Sequence, residues 1–214
     1  MNFLILGAGQ TGKLVVEVAH RTADWKCVGF LDPAAELAGT KIHGVEVLGS
    51  DELLSTFAKD PQIDGALPVL GNLSSRRTLF DQCIAEGFKL PVIVDPSAVL
   101  ASDARLGLGV CVLMNATILT NVEIGDFAFV GTAVSVLHDV TIGDNCVFGG
   151  GTIIGSNTIV GDNVEFGVGA TVASGGFRIG NGARIAAGAV IHKNVPENTF
   201  VLGNPARVIG PSAA

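Results

Sequence analysis

From Leu106 onward an aliphatic or aromatic side chain falls every six residues, at Val112, Ile118, Ile124, Val130, Val136, Ile142, Phe148, Ile154, Val160, Phe166 and Val172, twelve positions without a slip. An α-helix repeats near 3.6 residues and a strand at 2, so neither holds this frame. Four positions further on the side chain is usually small: Ala116, Val122, Ala128, Val134, Val140, Cys146, Thr152, Thr158, Val164, Ala170, Gly176. Glycine often follows the aliphatic residue, as in "IGD", "IGS", "VGD" and "IGN", where a turn needs positive φ or close packing. A period of six predicts a parallel β-helix, with three short strands and three turns in each coil of about 18 residues. Stacked at about 4.8 Å, such coils fill one continuous core. Ahead of the run, Ile93 and Val99 keep the step with one extra residue before Leu106; behind it, one extra residue precedes Ile179, Ile185 and Ile191.

Residues 1 to 95 follow a different pattern. "FLILGAG", "CVGFLD", "DGALPVLG" and "LPVIVD" read as four short buried strands. Between them "TGKLVVEVAHRTA", with Leu14, Val15, Val18 and Ala19 on one face, "DELLSTFA" and "SSRRTLFDQCIAEG" read as helices, the last ended by Gly87. This alternation predicts a parallel sheet covered by helices, a truncated Rossmann-like unit. Two domains are therefore expected, an α/β domain over 1–95 and a β-helix over 96–214.

Composition excludes several classes of function. Only 15% of residues are charged, against roughly 25% in an ordinary soluble chain. The net charge is −7 with scattered Lys and Arg, which leaves no electrostatic footprint for nucleic acid. Mean hydropathy is +0.52, but Gly, Asn, Asp or Thr interrupts every apolar stretch well before the roughly 18 residues that a membrane span needs. "MNFLILGAG" lacks a basic n-region and a cleavage site, so it is expected to be a first strand of a cytoplasmic protein. Cys27, Cys83, Cys111 and Cys146 are far apart and lack metal-ligand spacing; free buried thiols and no metal are expected.

Taken with "ILGAGQTGK" at the front, "HD" in the middle repeats and "VLGNPARVI" near the end, the chain resembles the hexapeptide-repeat sugar O- and N-acetyltransferases of the sialic acid acetyltransferase type. Among these it is most similar to the nucleotide-amino-sugar N-acetyltransferases. The resemblance implies a left-handed coil, a homotrimer, acetyl-CoA as co-substrate and a nucleotide-linked amino sugar as acceptor.

His138 stands two residues after the core position Val136, in a turn, so its side chain should leave the coil. Steps of 18 residues give a column Thr120, His138, Ser156, Ser174, polar and small beside the histidine. Acetyl transfer needs a base for the nucleophile's proton, and neutral imidazole suits that task. The resemblance assigns the base to His138, the orienting carboxylate to Asp139, and a backbone oxyanion donor to Gly155 or Ser156. Many relatives carry a second histidine where this chain has Val147 and an asparagine where it has Gly131; both departures bear on how the donor is held.

"GAGQTG" places Gly7, Gly9 and Gly12 in GxGxxG spacing between a strand and a helix, with Asp32 closing the second strand. Alone, that is a dinucleotide fingerprint and suggests an NAD-dependent enzyme. Four strands are few for a full dinucleotide domain, and the resemblance instead assigns Gly7, Gly9, Gln10, Thr11 and Asp32 to the nucleotide sugar, with Thr11 where relatives often have histidine. Asn72 and Arg76 are expected to line the same cleft, with a helix cap and a solvated arginine as the alternative. The acyl donor is expected at the late coils and C-terminal segment, through Ser174, Ala187, Lys193 and Arg207. Sugar O-acetylation and a non-catalytic nucleotide-sugar-binding trimer remain as alternatives to N-acetylation.

Overall fold

The computed structural model describes residues 1–212. The chain forms two compact units, Met1–Pro96 and a second from Ser97 onward.

In the first unit β1 (Asn2–Leu6), α1 (Gln10–His20), β2 (Lys26–Leu31), β3 (Lys41–Ile42), β4 (Val45–Gly49), α2 (Leu54–Phe57), β5 (Gly65–Pro68) and α3 (Leu73–Ala85) follow in sequence. The sheet order is β3-β4-β2-β1-β5, parallel except for the β3–β4 hairpin. Strand β1 lies inside the sheet between β2 and β5, and Phe3, Leu4, Ile5 and Leu6 are all fully buried, as a strand covered on both faces demands. The chain moves outward from β1 through β2 to β4, then returns to place β5 on the other side of β1. That reversal opens a crevice beyond the carboxyl ends of the strands, where open α/β sheets bind ligands.

Several expectations for this unit change. "LPVIVD" is no strand of the sheet: Pro91 brings no N–H to a ladder, and only Ile93–Val94 is extended. The outer edge belongs instead to the β3–β4 hairpin, which turns at His43 and Gly44 with φ of 46° and 83°, the left-handed pair that a tight hairpin requires. On α1 the buried arc runs through Gly12, Val15, Val16, Val18 and Ala19, and Leu14 lies just outside it, 42% exposed. Helix α3 ends as expected at Gly87 (φ 85°), with Phe88 N–H donating to Cys83 O and Gly87 N–H to Ile84 O, the paired bonds of a Schellman cap.

The second unit is a left-handed parallel β-helix. Strands of two or three residues pair 18 positions apart, for example Ile118 with Val136, Val136 with Ile154 and Ile154 with Val172. The six-residue ladder is its core, with Val112, Ile118, Val130, Val136, Phe148 and Ile154 inaccessible to solvent. Ala116, Ala128, Val134, Cys146, Thr152 and Ala170 fill the second inward position. Phe148 and Phe166 stack with centroids 5.0 Å apart and planes at 13°. Corner residues Asn121, Asp139 and Asn157 all take positive φ, the conformation that Asn and Asp tolerate best after glycine.

The extra residue expected before Ile179 is present, since Val160, Phe166 and Val172 pair 19 positions ahead with Ile179, Ile185 and Ile191. The slip expected before Leu106 is absent: Leu100, not Val99, pairs with Ile118, and Val99 is 61% exposed. Gly176 also leaves the inward column and is exposed, and after the inserted residue Ala183 and Ala189 resume it. An antiparallel hairpin, Thr199–Leu202 with Arg207–Pro211, closes the coil. All four cysteines are free and buried. Among the described residues no helix is long and apolar enough to cross a membrane.

Candidate active site

His138 leaves the coil at a corner, its side chain half exposed, because the next residue, Asp139, turns the chain at φ 59°. The imidazole Nδ1 lies 2.7 Å from Asp139 Oδ2. The other carboxylate oxygen, Oδ1, accepts from Asn121 Nδ2 at 2.5 Å. The Asn121 amide, then the bond to His138 and its charge, hold the Asp139 carboxyl below the usual range. An ionised carboxylate can only accept, so the proton of a neutral ring sits on Nδ1 and the Nε2 lone pair faces away from Asp139. One coil earlier Asp103 Oδ2 accepts from Thr120 Oγ1 at 2.7 Å and Asn121 N–H at 3.1 Å, which fixes the backbone that presents the amide.

Asn121 and Asp103 are absent from the motif-based reading of the sequence. The repeat itself carries the signal, since Asn121 precedes Asp139 by one coil of 18 residues.

The expected column is present. Asp139 N–H donates to Thr120 O, and Asn157 N–H to His138 O, so the corners stack directly. Ser156 N–H donates to Ser174 Oγ at 3.1 Å. The 19-residue step carries the column one coil further, to Lys193, about 14 Å from His138 at three coil spacings. Gly155 is corrected as an oxyanion donor: its N–H is bonded to Val172 O at 2.9 Å in the coil ladder. It must be glycine for packing, because a Cβ would sit 2.4 Å from Ser174 N. Ser156 N–H, held only by a rotatable hydroxyl, is the remaining candidate. Gly131 is fixed in the same way, since a Cβ there would meet Phe148 O at 2.5 Å.

Lys193 and Arg207 line one cavity of about 200 Å³, together with His192, Asn194 and the end of the closing hairpin. Arg207 donates to the carbonyl oxygens of Pro205 and Ala206. Ala187 is exposed and packs on Gly167, and neither it nor Ser174 lines that cavity.

In the first unit a cavity of about 530 Å³ opens at the carboxyl ends of the strands, with Gly7 and Asn72 in its wall. Gly7 has φ 111° and a Cβ there would lie 2.5 Å from Val69 O, so the loop after β1 requires glycine. Gly9 is the N-cap of α1, and Gln10 and Thr11 form its first turn; none of the three lines the cavity. Asp32 Oδ2 accepts from Ala8 N–H at 2.7 Å and Oδ1 from Ala34 N–H at 2.9 Å. It braces the glycine loop. Asn72 caps α3, its Oδ1 accepting from Ser75 N–H at 2.8 Å. Arg76 is corrected: it is 3% exposed, on the α3 face that carries Phe80 and Cys83, turned from the Asn72, Ser75, Leu79 side that lines the cavity. Among the described residues no group of three His, Cys, Asp or Glu side chains is placed to hold a metal ion.

Family models place a PglD N-terminal domain over residues 2–83, bacterial transferase hexapeptide repeats over 121–156 and a hexapeptide repeat of succinyl-transferase over 157–193. Perosamine N-acetyltransferase from Caulobacter crescentus, solved as a histidine-to-asparagine variant with CoA and GDP-perosamine, superposes with a TM-score of 0.92 at 28% identity, over 98% of this chain and 97% of that one. The chain joins a PglD-type N-terminal domain to hexapeptide repeats and is similar over nearly its whole length to hexapeptide-repeat sugar acetyltransferases.

Other structures are similar to this hexapeptide-repeat protein over their whole length. The acetyltransferase domain of PglB from Neisseria gonorrhoeae, solved also with acetyl coenzyme A, matches at TM-score 0.89 and 29% identity, over 97% of this chain and 98% of that one. Among curated proteins, serine acetyltransferase 4 of Arabidopsis thaliana is 39% identical over 107 residues and the putative acetyltransferase YvoF of Bacillus subtilis 53% over 34. Those matches span 50% and 16% of this chain, and 28% and 20% of the relatives' own lengths.

Proposed function

We propose that this protein is an acetyl-CoA-dependent N-acetyltransferase that acts on the amino group of a nucleotide-linked amino sugar. The observation that carries the proposal is the Asn121–Asp139–His138 chain, which leaves Nε2 of a neutral imidazole as the base. As the amine attacks the thioester carbonyl carbon, His138 Nε2 takes the amine proton. The C–N bond forms and negative charge gathers on the carbonyl oxygen, where Ser156 N–H is the candidate donor. The C–S bond then breaks, the thiolate of CoA leaves, and the imidazolium returns the proton to sulfur. Asp139 stabilises the cation between these two transfers.

The donor's phosphates suit the cavity of Lys193, Arg207 and His192, and the nucleotide suits the crevice beside Gly7. Similarity to structures solved with CoA, acetyl-CoA and GDP-perosamine supports both assignments. We place the enzyme in the bacterial cytoplasm as a homotrimer that supplies an acetylated sugar for a surface glycan. The test is CoA-thiol release from acetyl-CoA over UDP-, GDP- and dTDP-linked amino sugars and their hydroxyl counterparts, with wild type beside His138→Ala. Release that needs one amino sugar and fails in the variant supports the proposal. Release with hydroxyl acceptors alone, or full activity in the variant, overturns it.

A further inference from the structure

We propose that Asp51 reads the base of the bound nucleotide and selects guanine. The inference rests on the nucleotide-sugar reading above and deepens it. In a dinucleotide fingerprint the acid that closes the second strand faces the ribose. Here that acid, Asp32, has both carboxylate oxygens engaged by the backbone N–H groups of Ala8 and Ala34. The one charged side chain in the wall of the 530 Å³ cavity is another acid, Asp51, directly after β4 and Ser50.

Asn72, Ser75 and Thr78 are the neutral polar side chains of that wall, and two of them have an oxygen engaged by the protein. Asn72 Oδ1 caps α3, and Thr78 Oγ1 donates to Ser74 O at 3.2 Å. Around them Leu6, Leu31, Leu70 and Leu79 supply apolar walls for a flat ring. A carboxylate repels a diphosphate, so the diphosphate belongs at the opposite end, at Gly7, where the backbone can approach closely. Strand β2 lies between β1 and β4, which sets Gly7 and Asp51 about 10 Å apart at two strand spacings. A nucleoside 5′-phosphate spans that distance with its ribose in the middle, leaving the edge of the base at Asp51.

An ionised carboxylate offers two acceptors and no donor. Guanine alone among the common bases presents two adjacent donors on one edge, N1–H and the 2-amino group. Uracil and thymine flank a single N–H with two carbonyls, and the amino groups of adenine and cytosine stand beside a ring lone pair, so each sets an acceptor against the second oxygen of Asp51.

The test uses the full chain and four probes, GDP, IDP, UDP and ADP, titrated calorimetrically into wild type and Asp51→Asn, with circular dichroism to show that both are folded. IDP keeps N1–H and lacks the 2-amino group. GDP is expected to bind about tenfold or more tightly than IDP and UDP, and the GDP-to-IDP ratio to fall toward one in Asp51→Asn. UDP or ADP binding as tightly as GDP, or a GDP-to-IDP ratio unchanged by the substitution, overturns the guanine assignment while leaving the nucleotide site standing. Failure of all four probes to bind removes the nucleotide reading and this inference with it. Asp51→Glu, which keeps both acceptors, is expected to retain the order GDP before IDP.

Discussion

Asn121 donates its side-chain amide to Asp139 across one coil of the β-helix, at 2.5 Å, while the far oxygen of the same carboxylate meets His138. The orientation of the proposed base is therefore set by a residue 18 positions earlier in the chain, and Asn121 is a positioning residue. His138→Ala is expected to lower kcat by about 10² to 10⁴-fold. Asn121→Ala should lower kcat by about tenfold with little change in KM, because ground-state contacts to either substrate are untouched. Steady-state kinetics checks both, and an Asn121→Ala enzyme with wild-type kcat would remove the positioning role.

The pH dependence of stability follows from the same corner. Asp139 and Asp103 both sit below the ordinary carboxylate value of 3.8, the first chiefly through Asn121 and the second chiefly through the Thr120 hydroxyl. A carboxyl depressed in the folded chain contributes stability that is complete above its unfolded value and is lost as pH falls through the folded one. The difference in melting temperature between wild type and Asp103→Asn should therefore be largest at neutral pH and close between about pH 5 and pH 2. A difference that grows on acidification would contradict the assignment.

The stacked pair Phe148 and Phe166 lies in the middle of the inward ladder. Truncating Phe166 to Ala leaves a void that rigid coils on either side cannot close, at a cost of about 3–5 kcal/mol. Urea unfolding followed by circular dichroism measures it. Ile159→Ala, on an outward and 39% exposed position, should cost far less.

Lys193 and Arg207 are both exposed cations in one cavity. Their substitution by Ala is expected to raise KM for acetyl-CoA by about tenfold each while kcat stays close to wild type. Added salt should mimic the effect in wild type and have less influence on the double variant. An unchanged KM would place the donor elsewhere.

The β-helix was legible in the sequence because every coil puts the same side chain into the same core column, so the fold repeats as a visible period. The unbroken register ahead of Leu106 was not, since Val99 and Leu100 are both aliphatic and only pairing with Ile118 tells them apart. The β3–β4 hairpin has a signal in the His43-Gly44 pair, which the strand-helix alternation overlooks, and with β4 unseen Asp51 could not be assigned to the crevice. His138 with Asp139 was readable as adjacent residues. Asn121 required the coil spacing, and the burial of Arg76 required the i, i+4, i+7 pattern with Phe80 and Cys83 in place of a motif.

Burial pushes the thiols of Cys27 and Cys83 up to about 12, and Cys111 and Cys146 are equally shut away from solvent. Thiolate is the reactive form, so the folded chain is expected to resist the disulfide dyes that report free CoA. Colour in the thiol-release assay then counts turnover and not protein. The same dye, given without substrate, becomes a clock for the opening of the fold, since each cysteine reacts only once its own packing has let go.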